Sequence, residues 1–366
     1  MKSIHLTGSL CVVCAVAVGF GCEQSNPTPI QWSQLELPTE WDPELYVAYR
    51  TAVPLIVDGR LDDAAWEDAA WTSEFVDIEG SARPAPRFRT RAKMLWDDSY
   101  FYVAAEMEEP DVWARLTERD AIIYHDNDFE VFIDPDGDTH EYYELEINAF
   151  GTEWDLLLVR PYRDGGPAIN AWDIHGLKTA VHVDGTINEA GDRDHGWLVE
   201  IAMPWPVMQE AANTPVPPQP GDQWRVNFSR VQWRTVVEDG DYVRSLDNPP
   251  GRTRPEDNWV WSPQGIINMH YPEMWGIVQF SESISGLGSD SVAVSAVDRV
   301  KWELRQVYYR QRSWFEVHKS FTDDLNDLGL GGTEWPVTLQ ATGNLFQAGV
   351  AVNGRVVRIR QDGRVW

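Results

Sequence analysis

The chain has 366 residues, and its 58 Asp and Glu against 30 Lys and Arg give a formal net charge of −28. Phosphate backbones are bound through basic patches, so this balance excludes a nucleic-acid ligand and leaves neutral molecules such as sugars, or cations such as calcium. A chain of this length buries a substantial core and accommodates more than one folded unit.

The first 22 residues have the composition of an export signal. Lys2 precedes an apolar run from Leu10 to Gly21, which is too short to span a bilayer as a mature helix. The end of the segment, "VGFGC", resembles a bacterial lipoprotein cleavage box in which Cys22 is the lipidated residue. We therefore predict a signal peptide at 1–22 and a cell-envelope lipoprotein of the outer membrane or cell surface. A periplasmic or secreted protein without a lipid anchor is the alternative.

The positions of the cysteines and the composition after the signal limit which structures the mature chain can form. All three cysteines lie within the signal segment, so no disulfide links parts of the mature domain. Residues 23–44 are polar and interrupted by prolines, and we predict a tether without packed structure.

Residues 45–285 consist of short alternating segments rich in β-branched and aromatic residues, separated by Pro, Gly, Asp and Asn. This spacing predicts an all-β fold, an antiparallel β-sandwich. Residues 286–294 form a Gly- and Ser-containing linker. Helical spacing and two Asn-Gly or Asp-Gly turn signals then predict a separate, small α+β unit, a helix followed by β-hairpins, at 295–366. Neither the function nor a protein partner of this unit follows from its residues.

The stretch 125–148 carries nine acidic residues and neither Lys nor Arg. The spacing of Asp134, Asp136 and Asp138 is that of an EF-hand loop, but Thr139 replaces the required glycine and Leu145 the final glutamate. A calcium site of another type is one interpretation of this stretch, and a solvated hairpin tip is the other. The candidate metal ligands are Asp126, Asp128, Asp134, Asp136 and Asp138.

Strand alternation predicts a polar surface within the same stretch. Glu130 on one strand, and Glu144, Glu146 and Asn148 on the next, are expected on one face, with Tyr124 just ahead of them. Carboxylates and amides bind sugar hydroxyls, and an aromatic ring stacks on the apolar face of a sugar. The interpretation is a saccharide site, and the alternative is an ordinary outward sheet face.

Catalytic signals are weak. The chain has no zinc motif, nucleophile elbow, P-loop or GxGxxG pattern. Glycoside hydrolysis needs two opposed carboxylates across a cleft, whereas these acids are expected on neighbouring strands of one face. We predict a protein that is not an enzyme, with a component of a glycan hydrolase as the alternative.

Several motifs occur in the order found in family 9 carbohydrate-binding modules, which this region resembles over about residues 45–282. The resemblance implies a β-sandwich with structural calcium that binds plant polysaccharides such as xylan and cellulose without catalysis. The motifs are "VPLIVDGRLDDAAWEDA" at 53–69, "AKMLWDDSYFYVAAEMEEPD" at 92–111, "DNDFEVFIDPDGD" at 126–138, "WLVEIAMPW" at 197–205 and "WSPQGIINMHYPEMWGIVQF" at 261–280.

The resemblance also implies site residues. The family's acid and amide correspond to Glu130 and Asn148, while Glu146 stands where the family has arginine. The two clamping tryptophans correspond to Tyr124 and Met269. Trp259, Trp261 or His270 nearby are candidates to replace the second ring, with a buried sheet position as the alternative for Trp261. The predicted ligand-binding set is Tyr124, Glu130, Glu146, Asn148, Trp261, Met269 and His270.

Related sandwiches bind haem through methionine and histidine or lysine. Met94, Met107, Met269 and His270 are available for this here. A haem pocket is lined by apolar residues, so the acidic face disfavours a haem-binding electron-transfer domain, which stays an alternative.

Overall fold

The structure, a computed structural model, describes residues 31–32, 37–38, 40–246 and 253–366. The predicted signal peptide and Cys22 lie outside the described residues, as does much of the predicted tether. Within the described part, no helix combines the length and the apolar character needed to cross a bilayer.

The described residues form eighteen β-strands and three α-helices. The helices are α1 (Ala64–Asp68), α2 (Trp205–Met208) and α3 (Ala296–His318). The strands are β1 (Leu45–Arg50), β2 (Val76–Asp77), β3 (Thr90–Trp96), β4 (Tyr100–Glu108), β5 (Asp128–Asp134), β6 (Tyr142–Asn148), β7 (Glu153–Leu158), β8 (Ala168–Ile169), β9 (Lys178–Asp184), β10 (Gly196–Pro204), β11 (Gln223–Gln232), β12 (Thr235–Glu238), β13 (Asp241–Arg244), β14 (Asp257–Val260), β15 (Gly276–Ile284), β16 (Thr338–Ala341), β17 (Phe346–Val352) and β18 (Arg355–Arg360).

One sheet of thirteen strands folds back on itself to make the sandwich. Its main order is β8-β7-β6-β5-β11-β15-β1-β3-β4-β10-β9, with β14 and β2 attached beside β11. Side chains from both halves, such as Val131 and Leu145 on one and Val103 and Val199 on the other, belong to a single buried core. Burial of this apolar surface holds the two layers together. The predicted all-β sandwich is confirmed.

Strand β1 departs from the predicted antiparallel arrangement. It pairs in parallel with both β15 and β3, whereas the other paired strands are antiparallel. An antiparallel neighbour is required only where a tight hairpin joins two strands. The register of β1 joins Leu45 to Ile277, far along the chain, so no hairpin constrains its direction.

The C-terminal segment forms the predicted helix and hairpins. Helix α3 begins after Ser295, whose hydroxyl accepts a hydrogen bond from the Asp298 N–H at 3.1 Å. Strands β16, β17 and β18 form a three-stranded antiparallel sheet. The turn between β17 and β18 uses Asn353 and Gly354, both with positive φ, as the sequence predicted.

Helix α3 is docked on the sandwich through buried charges and does not form a separate unit. Residues 31–366 form one compact body. Glu273 pairs with Arg163 at 2.8 Å and with Arg305 of α3 at 3.6 Å, and it also accepts a hydrogen bond from the Tyr309 hydroxyl. Burial alone would raise the pKa of Glu273, but the charges of Arg163 and Arg305 hold it at about 2. The expected independent unit is therefore corrected to a packed subdomain.

The described part of the predicted tether is also packed. Trp41 stacks on Trp302 of α3 with ring centroids 5.9 Å apart, and the buried Trp32 lies edge-on to Tyr308 at 5.6 Å. Two tryptophans supply enough apolar area to dock an otherwise polar segment. The tether prediction is wrong for these residues. Composition alone did not show that they would pack against one face of α3.

We expect Glu273→Gln to lower the free energy of unfolding by about 3–5 kcal/mol, because it leaves the buried Arg163 and Arg305 without a carboxylate partner. Urea denaturation measures this change. The matched control is Glu282→Gln. The Glu282 carboxylate lies 3.7 Å from Arg50 on the surface, so loss of this ion pair should lower the free energy of unfolding by less than about 1 kcal/mol. Equal losses in the two variants would contradict the role given to Glu273.

Candidate functional site

The acids of β5 and β6 share one face of the sheet, as alternation predicted. Glu130 lies opposite Glu146, and Asp128 lies opposite Asn148. The intervening residues, such as Val131, point into the sandwich core. On the neighbouring β11, Ser229 lies opposite Glu130. The shared polar face is therefore confirmed.

This face is recessed and is not an ordinary solvated surface. Asp128, Glu130, Glu144 and Glu146 are each at most 5% exposed. Among the described residues, no lysine or arginine forms an ion pair with any of the four, and Arg230 on β11 is paired with Glu109 instead. Burying carboxylates without partners is costly, so this arrangement requires a compensating ligand or proton.

The hydrogen bonds of this acidic cluster, Asp128, Glu130, Glu144 and Glu146, are incomplete. Asp128 accepts a bond from the Val231 N–H at 3.2 Å, and Glu146 accepts one from the Tyr124 N–H at 2.8 Å. The second oxygen of Asp128 and Oε2 of Glu144 are buried and have no partner. The cluster therefore offers buried acceptors to a donor or a cation.

The pKa values of these acids reflect their burial without cation partners among the described residues. Burial is the main cause that raises the pKa of Glu130 to about 7, with a hydrogen bond from Ser229 acting against it and the charge of Glu256 acting with it. The pKa values of Asp128, Glu144 and Glu146 lie well above the usual range of carboxyl groups. Burial is the largest cause, and repulsion from Glu130 is the second. Between neutral and mildly acidic pH, the cluster therefore holds protons that isolated carboxylates would release.

Two exposed tyrosine rings flank the acidic cluster. Tyr124 is 38% exposed and lies on the 3₁₀ turn Ile123–His125. Tyr162 is 39% exposed and begins the 3₁₀ turn Tyr162–Asp164. Burial raises the pKa of Tyr162, and the charges of Glu144, Glu146 and Tyr124 act in the same direction.

Sequence reasoning found Tyr124 and missed Tyr162. The latter follows Pro161 in an irregular loop with no periodic pattern that would place it on the polar face. The only available signal was an aromatic residue in a loop of a chain suspected of binding sugar.

His270 and Met269 lie at the border of the polar face. The His270 ring meets the Tyr162 ring edge-on at 4.6 Å, and its Nδ1 forms a 2.9 Å hydrogen bond with the Tyr142 hydroxyl. Burial and the nearby charge of Arg163 lower the pKa of His270 to about 3. Met269 is partly buried against the cluster that contains Phe132 and Trp275. These two residues support the site wall, and His270 positions the ring of Tyr162.

Two predicted ligand-binding residues are structural instead. The side-chain amide of Asn148 donates to the Leu116 carbonyl at 2.8 Å and to Asp126 at 3.0 Å, while its oxygen accepts from the N–H groups of Phe150 and Thr152 at 3.0 Å. All its hydrogen-bonding capacity is thus used. Trp261 is 1% exposed and packs within the sandwich core. Both side chains are thus engaged in the fold of the described structure.

The five predicted calcium ligands do not form one site. Asp126 and Asp128 stand at the start of β5 and Asp134 at its end, and a seven-residue strand spans about 20 Å. Carboxylate oxygens of Asp134, Asp136 and Asp138 lie within 4.8 Å of one another. Asp126 instead accepts hydrogen bonds from backbone N–H groups of residues 115 and 116, both at 2.7 Å.

The acidic turn after β5 is partly neutralised by the C-terminal subdomain. Arg364 donates to Asp138 at 2.7 Å, and the Lys301 ammonium donates to the carbonyls of Asp136 and Gly137 at 2.7 and 3.0 Å. Asp134 accepts from the backbone N–H groups of the turn. The three carboxylates fit the donor set of a calcium ion, and calcium at this turn stays a prediction.

The described fold is a β-sandwich with a recessed acidic face. Residues 57–222 match the family model described as "Carbohydrate family 9 binding domain-like". This region is therefore similar to a family 9 carbohydrate-binding domain, in agreement with the resemblance of its motifs.

Parts of known proteins are similar to this chain. The chain is 28% identical over 152 residues to exoglucanase XynX of Acetivibrio thermocellus and 27% identical over 150 residues to endo-1,4-beta-xylanase A of Thermoanaerobacterium saccharolyticum. Each match covers 41% of this chain, and the chain spans about a tenth (11%) of the length of each relative. A family 9 carbohydrate binding module from Caldicellulosiruptor kristjanssonii, in complex with cellotriose, matches with 15% identity and a TM-score of 0.42, over 68% of this chain and 98% of that chain.

We expect Asn148→Ala to lower the free energy of unfolding by at least about 2 kcal/mol, because four hydrogen-bonding groups lose their partner in a buried place. Tyr124→Ala, which removes a half-exposed ring, changes stability by less than about 1 kcal/mol. Chemical denaturation distinguishes the two variants, and a neutral Asn148→Ala would contradict the structural role of Asn148.

His270 gives a pH-dependent prediction. It stays neutral in the folded protein down to a pKa of about 3, whereas the unfolded chain takes up its proton near pH 6.5. Its contribution to stability is therefore present above pH 6.5 and falls with decreasing pH, by at most about 1.4 kcal/mol per pH unit. We expect His270→Asn to flatten the decline of unfolding free energy between pH 6.5 and 4.

The control for this measurement is His175→Asn, at an exposed histidine. Its stability curve should run parallel to that of the unmodified protein. If the His270→Asn curve is also parallel, His270 is not buried in its neutral form.

Proposed function

We propose that the recessed face between Tyr124 and Tyr162 binds a saccharide and that the protein acts without catalysis. The observation that carries the proposal is the pair of exposed rings beside buried carboxylates with free acceptor oxygens. Sugars present an apolar ring face and several hydroxyl donors. The tyrosine rings can stack on the first, and the carboxylate oxygens can accept hydrogen bonds from the second.

The rings and the acids have distinct roles in this proposal. Tyr124 and Tyr162 stack on the apolar faces of the sugar. Glu130, Glu144 and Glu146 accept hydrogen bonds from its hydroxyls, which relieves the cost of the unpartnered oxygens. A deoxygenated analogue leaves these acceptors unpaired and should be rejected.

The proposed ligand is a plant-type polysaccharide or its oligosaccharides, such as fragments of xylan or cellulose. This is supported by the matching exoglucanase and xylanase relatives. Catalysis is disfavoured because Glu130 and Glu146 are paired on adjacent strands of one face, whereas glycoside hydrolysis needs two carboxylates that flank the scissile bond from opposite sides.

The cellular setting is also part of the proposal. Export through residues 1–22 and lipidation at Cys22 would place the site in the cell envelope, with the lipid as the only membrane contact. A calcium ion held by Asp134, Asp136 and Asp138 would stiffen the turn after β5. Metabolic labelling with a fatty acid tests the anchor, and Cys22→Ser should abolish the label.

We expect millimolar xylo- or cello-oligosaccharide to give a binding signal by calorimetry at neutral pH. Tyr124→Ala and Tyr162→Ala should each weaken the affinity about tenfold, equivalent to about 1.4 kcal/mol, because each removes one stacking face. The matched control is Trp366→Ala, which removes another exposed ring, on the C-terminal subdomain. This variant should bind like the unmodified protein.

Two outcomes would contradict the proposal. The absence of heat with every oligosaccharide tested would remove saccharide binding at this face. Release of reducing sugar that is lost in Glu130→Gln would instead identify an enzyme.

A further inference from the structure

An arginine on the hairpin of β12 and β13 lies beside the proposed saccharide site. Arg244 is the last residue of β13 and pairs with Thr235 across the hairpin. Its guanidinium lies 3.8 Å from the centre of the Trp233 ring. The same indole donates from Nε1 to the Tyr124 carbonyl at 2.9 Å. One tryptophan therefore separates the Arg244 cation from the backbone of the residue whose ring we assign to the sugar.

The Arg244 guanidinium has no anionic partner in the described part of the chain. None of the ion pairs there includes it, and its Nε is buried without a hydrogen-bond partner. The side chain as a whole is only partly buried, so its terminal N–H groups are free to donate to a ligand. A buried donor without an acceptor forfeits its hydration, and an arriving carboxylate offsets that loss.

Arg115 supplies a second positive charge near Arg244. The Arg244 guanidinium also lies 5.8 Å from the ring of Trp113, two residues before Arg115 in the chain. The Arg115 N–H donates to Asp126 at 2.7 Å, which fixes this segment close in the chain to Tyr124. The Arg115 side chain is exposed and, among the described residues, belongs to no ion pair. Two arginines without carboxylate partners thus lie at the Tyr124 end of the site.

The electrostatic environment of Arg244 is short of negative charge. Burial is the main cause that lowers the pKa of Arg244, with the charges of Asp126 and Glu256 acting against it and the charge of Arg115 acting with it. Oδ2 of Asp126 already accepts hydrogen bonds from two backbone N–H groups and from the amide of Asn148. A further carboxylate at Arg244 would therefore have to come from outside the described chain.

We propose that Arg244 and Arg115 form a subsite for a carboxylate carried by the bound saccharide, that is, for a uronic acid next to the sugar that stacks on Tyr124. This inference rests on the proposed saccharide site and names its preferred ligand, an acidic oligosaccharide. The guanidinium fork matches the two oxygens of a carboxylate, and stacking on Trp233 orients the fork before the ligand arrives.

The formal net charge of −28 does not oppose an acidic ligand at this place. At physiological ionic strength, charges at the protein surface are largely screened beyond about 8 Å. The arginines closest to the ligand therefore determine the local interaction. Hydrogen bonds between a guanidinium and a carboxylate are about twice as strong as those between neutral groups, which favours the acidic ligand over the neutral one.

The experiment compares two ligands on the full chain by calorimetry at neutral pH and constant ionic strength. The ligands are xylotriose and xylotriose that carries one glucuronic acid branch. We expect the acidic ligand to bind about tenfold more tightly, because it adds a charge-assisted contact. Arg244→Gln should bring the ratio of the two affinities close to one. The matched control is Arg355→Gln, which removes an exposed arginine of β18 and should retain the ratio of the unmodified protein.

A second measurement on the unmodified protein keeps the test decisive where Arg244→Gln does not fold. Raising sodium chloride from about 20 mM to about 500 mM should reduce the preference for the acidic ligand, because salt screens the attraction between the charges. Equal affinities for the two ligands, a preference independent of salt, or a preference retained in Arg244→Gln would overturn the carboxylate subsite and leave the saccharide site standing. The absence of heat with both ligands would overturn the saccharide site itself.

Discussion

A carboxylate that leaves water must find a cation, a set of hydrogen-bond donors or a proton, and this requirement organises the protein. At Glu273 the chain supplies two arginines and a tyrosine hydroxyl, and the resulting junction joins the C-terminal helix to the sandwich. At the start of β5 the described residues supply a few hydrogen-bond donors and no ion-paired cation, and two carboxylate oxygens have no partner. The same physical cost thus accompanies a structural joint at one place and the proposed binding surface at another.

The two places are connected through one short turn. Tyr162, which presents a ring to the recessed face, is followed directly by Arg163, which pairs with Glu273, and by Asp164, which accepts a hydrogen bond from Tyr308 of α3. The ring of Tyr162 also rests against His270, three residues before Glu273. Helix α3 therefore fixes the turn that displays the ring, and the C-terminal subdomain has a clear structural task even though its residues suggested no function.

Sequence alone predicted the sandwich, the helix, the hairpin turns and the shared face of Glu130 and Glu146, because each of these follows from periodicity or local turn chemistry. It could not predict burial, which depends on what covers a face. For that reason the fully hydrogen-bonded, buried position of Asn148 was not predicted, and Tyr162 was missed. The five aspartates that were predicted to bind calcium form two groups, because residues close in sequence lie at opposite ends of β5. The docking of α3 escaped prediction because its partners, such as Arg163 and Glu273, lie far away in the chain.

The position of β11 has a practical consequence. The family match ends at residue 222, and β11 begins at residue 223, between β5 and β15 in the middle of the sheet. A polypeptide cut at the family boundary would leave β5 with an unsatisfied backbone edge and would uncover the apolar side chains beneath it. Open edges of this kind recruit strands from other molecules, so such a fragment is expected to self-associate and precipitate, whereas the longer chain closes its own sheet.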